Sequence, residues 1–270
     1  WSFLASTYRV STLTDRTWRL YIALHIGDCR ELKTSFDGVL FMNEEEKIRE
    51  LNSRLKDRYG EPEDPPEMSG IGYLVETILS QNTNDINRDK AYGNLVDRYD
   101  SWEKVEKADY QELVDTIRVA GLGPTKAERI QEALRIVRED QGKYSLEFLE
   151  DMSVDDAKNW LTKIPGVGPK TAAIILCFYF RKPVFPVDTH VHRISKRLGL
   201  IPRNAGRTKA HNILERVVPD DIKYELHRLM IEYGRDTASA RNPDCEECIW
   251  PEECDYYREV YKGGLEPEEF

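Results

Sequence analysis

The chain has 270 residues, enough for two small hydrophobic cores. Its composition, 40% hydrophobic and 33% charged, contains no membrane-spanning run and no export signal, so a membrane protein is excluded and a cytoplasmic location is expected. With 39 Lys+Arg against 49 Asp+Glu the net charge is −10, which excludes a uniformly basic nucleic-acid binder and leaves only a local basic face for that role.

Residues 1–41 are rich in Trp, Arg, Thr and Ser. They are expected to be a non-native or disordered extension from an upstream-extended reading frame, with the true start at Met42; a real strand-rich extension is the alternative. Met42-Asn43-Glu44-Glu45-Glu46 opens a charged helix. Between 71 and 79, Ile71, Leu74, Val75, Ile78 and Leu79 recur at helical spacing, one face of an amphipathic helix. Gln81 and Asn82 follow it. Their amides could read or replace the partner of a displaced base, or equally cap a helix end. Amphipathic patterns recur around 108–119, 127–139 and 209–233, with no alternating strand pattern after residue 42, so the fold class is all-α.

Two glycine turns lead into helices. The first is Ala120-Gly121-Leu122-Gly123-Pro124-Thr125-Lys126, a phosphate-binding turn or a packing turn with equal weight. The second is Pro165-Gly166-Val167-Gly168, followed by Pro169 and Lys170. Its glycines let the backbone turn tightly and approach a ligand, and the N–H groups at the following helix start favour an anion such as a DNA phosphate. Lys170 opposes the helix dipole where it stands, so its position calls for another explanation.

Thr171 to Phe180 is nearly all apolar, a buried helix that Arg181-Lys182-Pro183 must end. Asp188, eighteen residues after Lys170, precedes a helix whose apolar positions are Val191, Ile194 and Leu198, and reads as its N-cap. A capping carboxylate is fixed and ionised, which is compatible with catalysis. Charge is uneven here: residues 163–210 hold ten basic residues and one acid, Asp188, a net of +9, leaving −19 for the rest. That segment is expected to form the DNA face. Among the cysteines, Cys177 reads as a core residue, whereas Cys245, Cys248 and Cys254 are spaced for metal ligation rather than disulfides.

Together the turn from Leu161 to Lys170, the segment Val187-Asp188-Thr189-His190-Val191, the cysteine cluster and the stretch Ile78 to Asp85 resemble the helix-hairpin-helix superfamily of DNA glycosylases, and within it endonuclease III, over roughly residues 65–258. The resemblance implies a two-lobed helical protein: a helix-hairpin-helix barrel at 65–182, and a second helical lobe from 42–64 with 183–270 that carries the cysteine loop. It implies a bifunctional glycosylase and abasic-site lyase for oxidised pyrimidines, acting as a monomer on double-stranded DNA and nucleoid-associated. Lys170 would be the nucleophile and Asp188 the stabiliser of developing positive charge. Attack needs a neutral amine, hence partial burial of Lys170. DNA contacts fall to Gly166, Val167, Gly168, Gln81, Asn82, His190 and Arg193. A different lesion, such as oxidised guanine or a deaminated or methylated pyrimidine, and a non-catalytic DNA-binding module are the alternatives.

Endonuclease III relatives hold a [4Fe-4S] cluster through Cys-x6-Cys-x2-Cys-x5-Cys. The first ligand position is Ala238 here. A cluster on three thiolates must find its fourth ligand in Asp236, Ser239, a remote group or solvent, or be labile or absent. Zinc would need a histidine, and His227 is the closest upstream.

Overall fold

The computed structural model describes residues 42–63, 67–267 and 270. The expectation for residues 1–41 lies outside them. Helix α1 (Glu44–Tyr59) starts on three glutamates and ends with Lys56 and Arg58, both favourable to its dipole, and buries Ile48, Leu51 and Leu55. Helix α2 (Gly70–Leu79) is capped by the Ser69 hydroxyl, which accepts from Gly72 N–H, and buries all five residues expected from its spacing. There follow α3 (Asp85–Arg98), the short α4 (Trp102–Glu106), α5 (Tyr110–Ile117) and α6 (Gly123–Gln141). Helices α7 (Val154–Leu161) and α8 (Pro169–Phe178) flank the second glycine turn. Then come α9 (Thr189–Arg197), α10 (Arg207–Val217) and α11 (Lys223–Asp236). No strand occurs among the described residues.

The amphipathic pattern over 209–233 is two helices, not one. Pro219 has no N–H to continue the ladder and disfavours helix in Val218, whose backbone is extended. The apolar run does end as expected: Arg181 takes a left-handed conformation at φ 52°, and its neighbour Lys182 turns inward, donating through Nζ to the carbonyls of Glu150 and Met152.

The described helices form two lobes. In the first, α2 to α8 surround a core that includes Leu74, Ile78, Leu95, Leu113, Ile130, Leu134, Leu161 and Leu176, all essentially inaccessible to water. In the second, α11 packs against both α1 and α9. Helix α11 also touches α8, and the rings of Phe178 and Tyr224 meet edge to face at 5.4 Å across that junction.

Candidate active site

The second glycine turn depends on atoms far from it in sequence. Gly166 has φ +83°, and a Cβ there would lie 2.7 Å from Arg129 Nε as well as against Cδ of the same side chain. Only glycine meets both conditions. The Val167 side chain is buried and its N–H donates to Ile164 O at 3.0 Å. Val167 thus anchors the turn, its side chain and N–H both engaged inside the protein. Gly168 is the N-cap of α8 and is exposed, as are Gly166 and Lys170. The N–H groups of Gly168 and Lys170 have no backbone acceptor among the described residues.

Asp188 caps α9: its Oδ1 accepts from Val191 N–H at 2.8 Å, which fixes the carboxylate at the helix start. Behind Lys170 and Asp188 sits His227 on α11, 1% exposed, with neither ring nitrogen hydrogen-bonded. Phe178 and Phe185 hold its ring edge to face at 5.0 and 5.9 Å. Burial drives this imidazole down to about 4; Asp188 opposes the shift and Lys170 reinforces it. Both charges are felt at one buried ring, so the starts of α8 and α9 lie near the same side chain of α11 although eighteen residues separate Lys170 from Asp188. Lys170 is exposed. The partial burial expected of it is not built into the protein alone.

His190 and Arg193 face inward more than outward. Arg193 Nε donates to Ala238 O at 2.8 Å, and its Nη2 to Gly234 O at 2.8 Å and to His190 Nδ1 at 3.1 Å. A Cβ on Gly234 would come within 2.5 Å of His190 Nδ1, so α9 and α11 approach closely only because position 234 is glycine. Burial lowers the His190 imidazole, against the opposing pull of Asp188. Arg193 thus spends its donors binding α9 to α11.

The basic stretch divides in the same way. Arg181 stacks on the Tyr224 ring at 3.4 Å, buried Arg197 donates to the carbonyls of Ala238 and Ser239, and Arg203 pairs with Glu259. Lys163, Lys170, Arg207 and Lys209 remain exposed, as does Arg181 beyond its stacked face. The basic face is smaller than the count of ten predicts, because the stretch also supplies internal ties.

Lys126, Leu122 and Arg129 also shape the site, and of these only Arg129 lies outside the sequence motifs. Lys126 is 1% exposed and donates through Nζ to Leu79 O and Ala120 O, each at 2.8 Å, tying the end of α2 to the first glycine turn. Burial lowers its pKa. The first turn is therefore a packing turn as regards its lysine. Leu122, on that turn, is 55% exposed and left-handed at φ 52°. Asn82, on the neighbouring loop, is exposed and left-handed at φ 53°. Exposed side chains held in strained backbone commonly mark functional sites. Gln81 points the other way: its Oε1 accepts from Arg129 Nη1 at 2.7 Å and its Nε2 donates to Gly166 O at 2.9 Å. Nothing in the sequence around Arg129 signals this partnership.

Cys245, Cys248 and Cys254 line a cavity of about 20 Å³ together with Ala238, Arg197 and Tyr256. That volume suits about one water. Tyr233 OH donates to Cys248 Sγ at 3.5 Å. A hydrogen bond shared by Cys248 and Cys254 lowers the first thiol and raises the second. Asp236 is occupied by Tyr59, Arg58 and Thr237, and the Ser239 hydroxyl donates to Asn242 O. The donor set is three thiols and a methyl, which does not fit a cubane that needs four ligands. Zinc fares no better, because His227 is enclosed by Phe178 and Phe185. The loop has other anchors on α1: Arg54 donates to Ile249 O, Arg58 to Glu247 O, and Arg54 covers the buried Trp250 ring at 4.8 Å.

Two helices joined by a glycine turn that leaves backbone donors open, followed by an aspartate-capped helix, give the chain the architecture of the helix-hairpin-helix class of DNA glycosylases. The chain belongs to that family: residues 75–220 match the HhH-GPD superfamily of base excision DNA repair proteins. Its relatives include endonuclease III enzymes. That of Thermotoga maritima is 37% identical over 81% of this chain and 97% of its own length, and that of Sulfolobus acidocaldarius is 30% identical over 70% and 83%. Among solved structures, a non-covalent endonuclease III–DNA complex superposes with a TM-score of 0.69 at 26% identity, covering 82% of this chain and 100% of that one. A trapped endonuclease III–DNA covalent intermediate gives the same values. No helix among the described residues is long and apolar enough to cross a membrane.

Proposed function

We propose that this DNA glycosylase and abasic-site lyase removes oxidised pyrimidines from double-stranded DNA through Lys170 and Asp188. The observation that supports the assignment is that Val191 N–H fixes the Asp188 carboxylate at the start of α9 while Lys170 stands exposed at the start of α8. DNA would lie across the cleft between a lobe at 65–182 and a lobe at 42–64 with 183–270, gripped by the N–H groups of Gly166, Gly168 and Lys170 at the start of α8. The enzyme acts as a monomer in the cytoplasm, at the nucleoid.

The target nucleotide must leave the stack for the chemistry to reach it, at a cost of a few kcal/mol. Entry of that nucleotide covers the exposed Lys170 amine. The amine attacks the anomeric carbon as the bond from that carbon to the base breaks. Asp188, held by Val191 N–H, stabilises the positive charge that develops on the sugar and takes up the proton the amine releases. The sugar ring then opens, its oxygen taking that proton back from Asp188 while water protonates the departed base, and a protonated imine is left on Lys170. Loss of a proton from the adjacent carbon then expels the 3′ phosphate and nicks the strand, and water frees the lysine. Asn82 and Leu122, exposed and left-handed on adjacent loops, would enter the space the nucleotide leaves.

Borohydride trapping on a duplex with one thymine glycol or one abasic site tests this assignment. A covalent adduct is expected for the wild type and not for Lys170→Ala, and Asp188→Asn is expected to slow base release. A wild type that binds the duplex and forms no adduct on either substrate overturns the lyase reading. An adduct on the abasic site alone overturns only the choice of lesion.

A further inference from the structure

The loop that carries Asn82 and the turn that leads to Lys170 belong to different parts of the chain, yet one side chain on a third element holds both. Arg129, on α6, is half-buried. Its stem fills the space where any residue other than glycine at 166 would place a Cβ, and its Nη1 donates to Gln81 Oε1 at 2.7 Å. Gln81 completes the connection by donating from Nε2 to Gly166 O at 2.9 Å. Both ends of the Gln81 amide are thereby used inside the protein, so Gln81 is not free to read a base. The next residue, Asn82, is the one left exposed in a left-handed backbone.

We propose that Arg129 is a positioning residue which, acting through Gln81, locks the Asn82 loop to the Gly166 turn, so that strand probing and nucleotide capture move as one unit. This rests on the glycosylase reading above. The physical argument is geometric. A side chain that enters the base stack must resist being pushed back by the stack it opens, and Asn82 sits in a loop with no regular structure of its own. The Arg129–Gln81–Gly166 chain supplies that resistance by bracing the loop against the turn that grips the backbone. Lys126 braces the other end of the loop, at Leu79, from the same helix. Arginine suits the post because its planar head gives a directed donor while its stem packs on Gly166.

The test compares wild type, Arg129→Met, Gln81→Met and the double variant on a duplex in which 2-aminopurine neighbours a tetrahydrofuran abasic analogue, where fluorescence at saturating protein reports distortion of the stack without any chemistry. Single-turnover base release from a thymine glycol duplex and nicking at a preformed abasic site are measured alongside. Each single variant is expected to lower the saturating fluorescence and to slow base release about tenfold more than nicking, since an abasic site has no base to unstack. The double variant is expected to be no worse than either single one, because both cut the same connection. Unchanged fluorescence in Arg129→Met, or losses that add in the double variant, overturn the proposal. Equal slowing of both reactions with a fall in thermal midpoint also overturns it, by showing a role in stability alone. A wild type that neither binds nor distorts the duplex instead overturns the glycosylase reading on which the proposal rests.

Discussion

Gln81 and Gly166, 85 positions apart in the chain, are joined by a 2.9 Å hydrogen bond that spans the two loops a DNA strand would meet. The bond exists because Gly166 has no side chain and Arg129 occupies the vacated space.

Gly166→Ala is expected to destabilise the protein by about 1–3 kcal/mol, through the left-handed backbone and the clash with Arg129 together. Urea midpoints measure this. Combining it with Arg129→Ala removes the clash and is expected to recover part of the loss, leaving about 1–2 kcal/mol for the backbone alone.

Lys126→Met leaves the carbonyls of Leu79 and Ala120 without their buried donor, at about 1–3 kcal/mol for each group left unsatisfied. Because Lys126 is sealed from solvent, the salt dependence of DNA binding is expected to keep its slope. A fall in slope of about 1 would show that the lysine reaches phosphate after all.

His227 gives the fold an acid sensitivity. Its imidazole is driven from 6.5 down to about 4 by burial, so between those values the unfolded chain takes up a proton that the folded chain refuses. The contribution is therefore complete above pH ~6.5 and is lost as pH falls toward 4, amounting to about 2 kcal/mol by pH 5 at about 1.36 kcal/mol per pKa unit. Urea unfolding of His227→Phe at pH 7 and pH 5 is expected to show less acid loss than the wild type by that margin. Parallel losses in the two proteins would assign the sensitivity to other groups.

The donor set around Cys245, Cys248 and Cys254 lacks a fourth ligand at Ala238, so purified wild type is expected to carry fewer than four irons per chain while remaining folded. Ala238→Cys restores the family spacing and is expected to raise the iron content toward four, with matching acid-labile sulfide. Four irons in the wild type would mean that a group outside the cavity lining completes the site. Trp250→Ala is expected to cost about 3–5 kcal/mol, because the buried ring beneath Arg54 anchors the loop to α1.

Much of this protein was decided by local sequence. The helical class, the face of α2 formed by Leu74, Val75, Ile78 and Leu79, the end of the apolar run at Arg181 and the cap at Asp188 all follow from periodicity, proline and capping chemistry within a few residues. Lys170 and Asp188 could be singled out as candidates too, since both lie within a single stretch of chain.

What the sequence could not decide is which way the equivalent-looking lysines face. Gly121-Leu122-Gly123-Pro124 and Gly166-Val167-Gly168-Pro169 both lead into a helix carrying a lysine, but Lys126 comes three residues after its glycine and Lys170 two after. One residue is about 100° of helical rotation. Given where α2 and α6 pack, that rotation buries Lys126 on two carbonyls, while Lys170 at the start of α8 is left exposed. The tertiary structure alone likewise chose Gln81 as an internal brace and Asn82 as the exposed residue, and turned Arg193 and Arg197 inward onto carbonyls of the Ala238 segment. These outcomes depend on partners 41 to 85 positions away, whose placement no local propensity encodes.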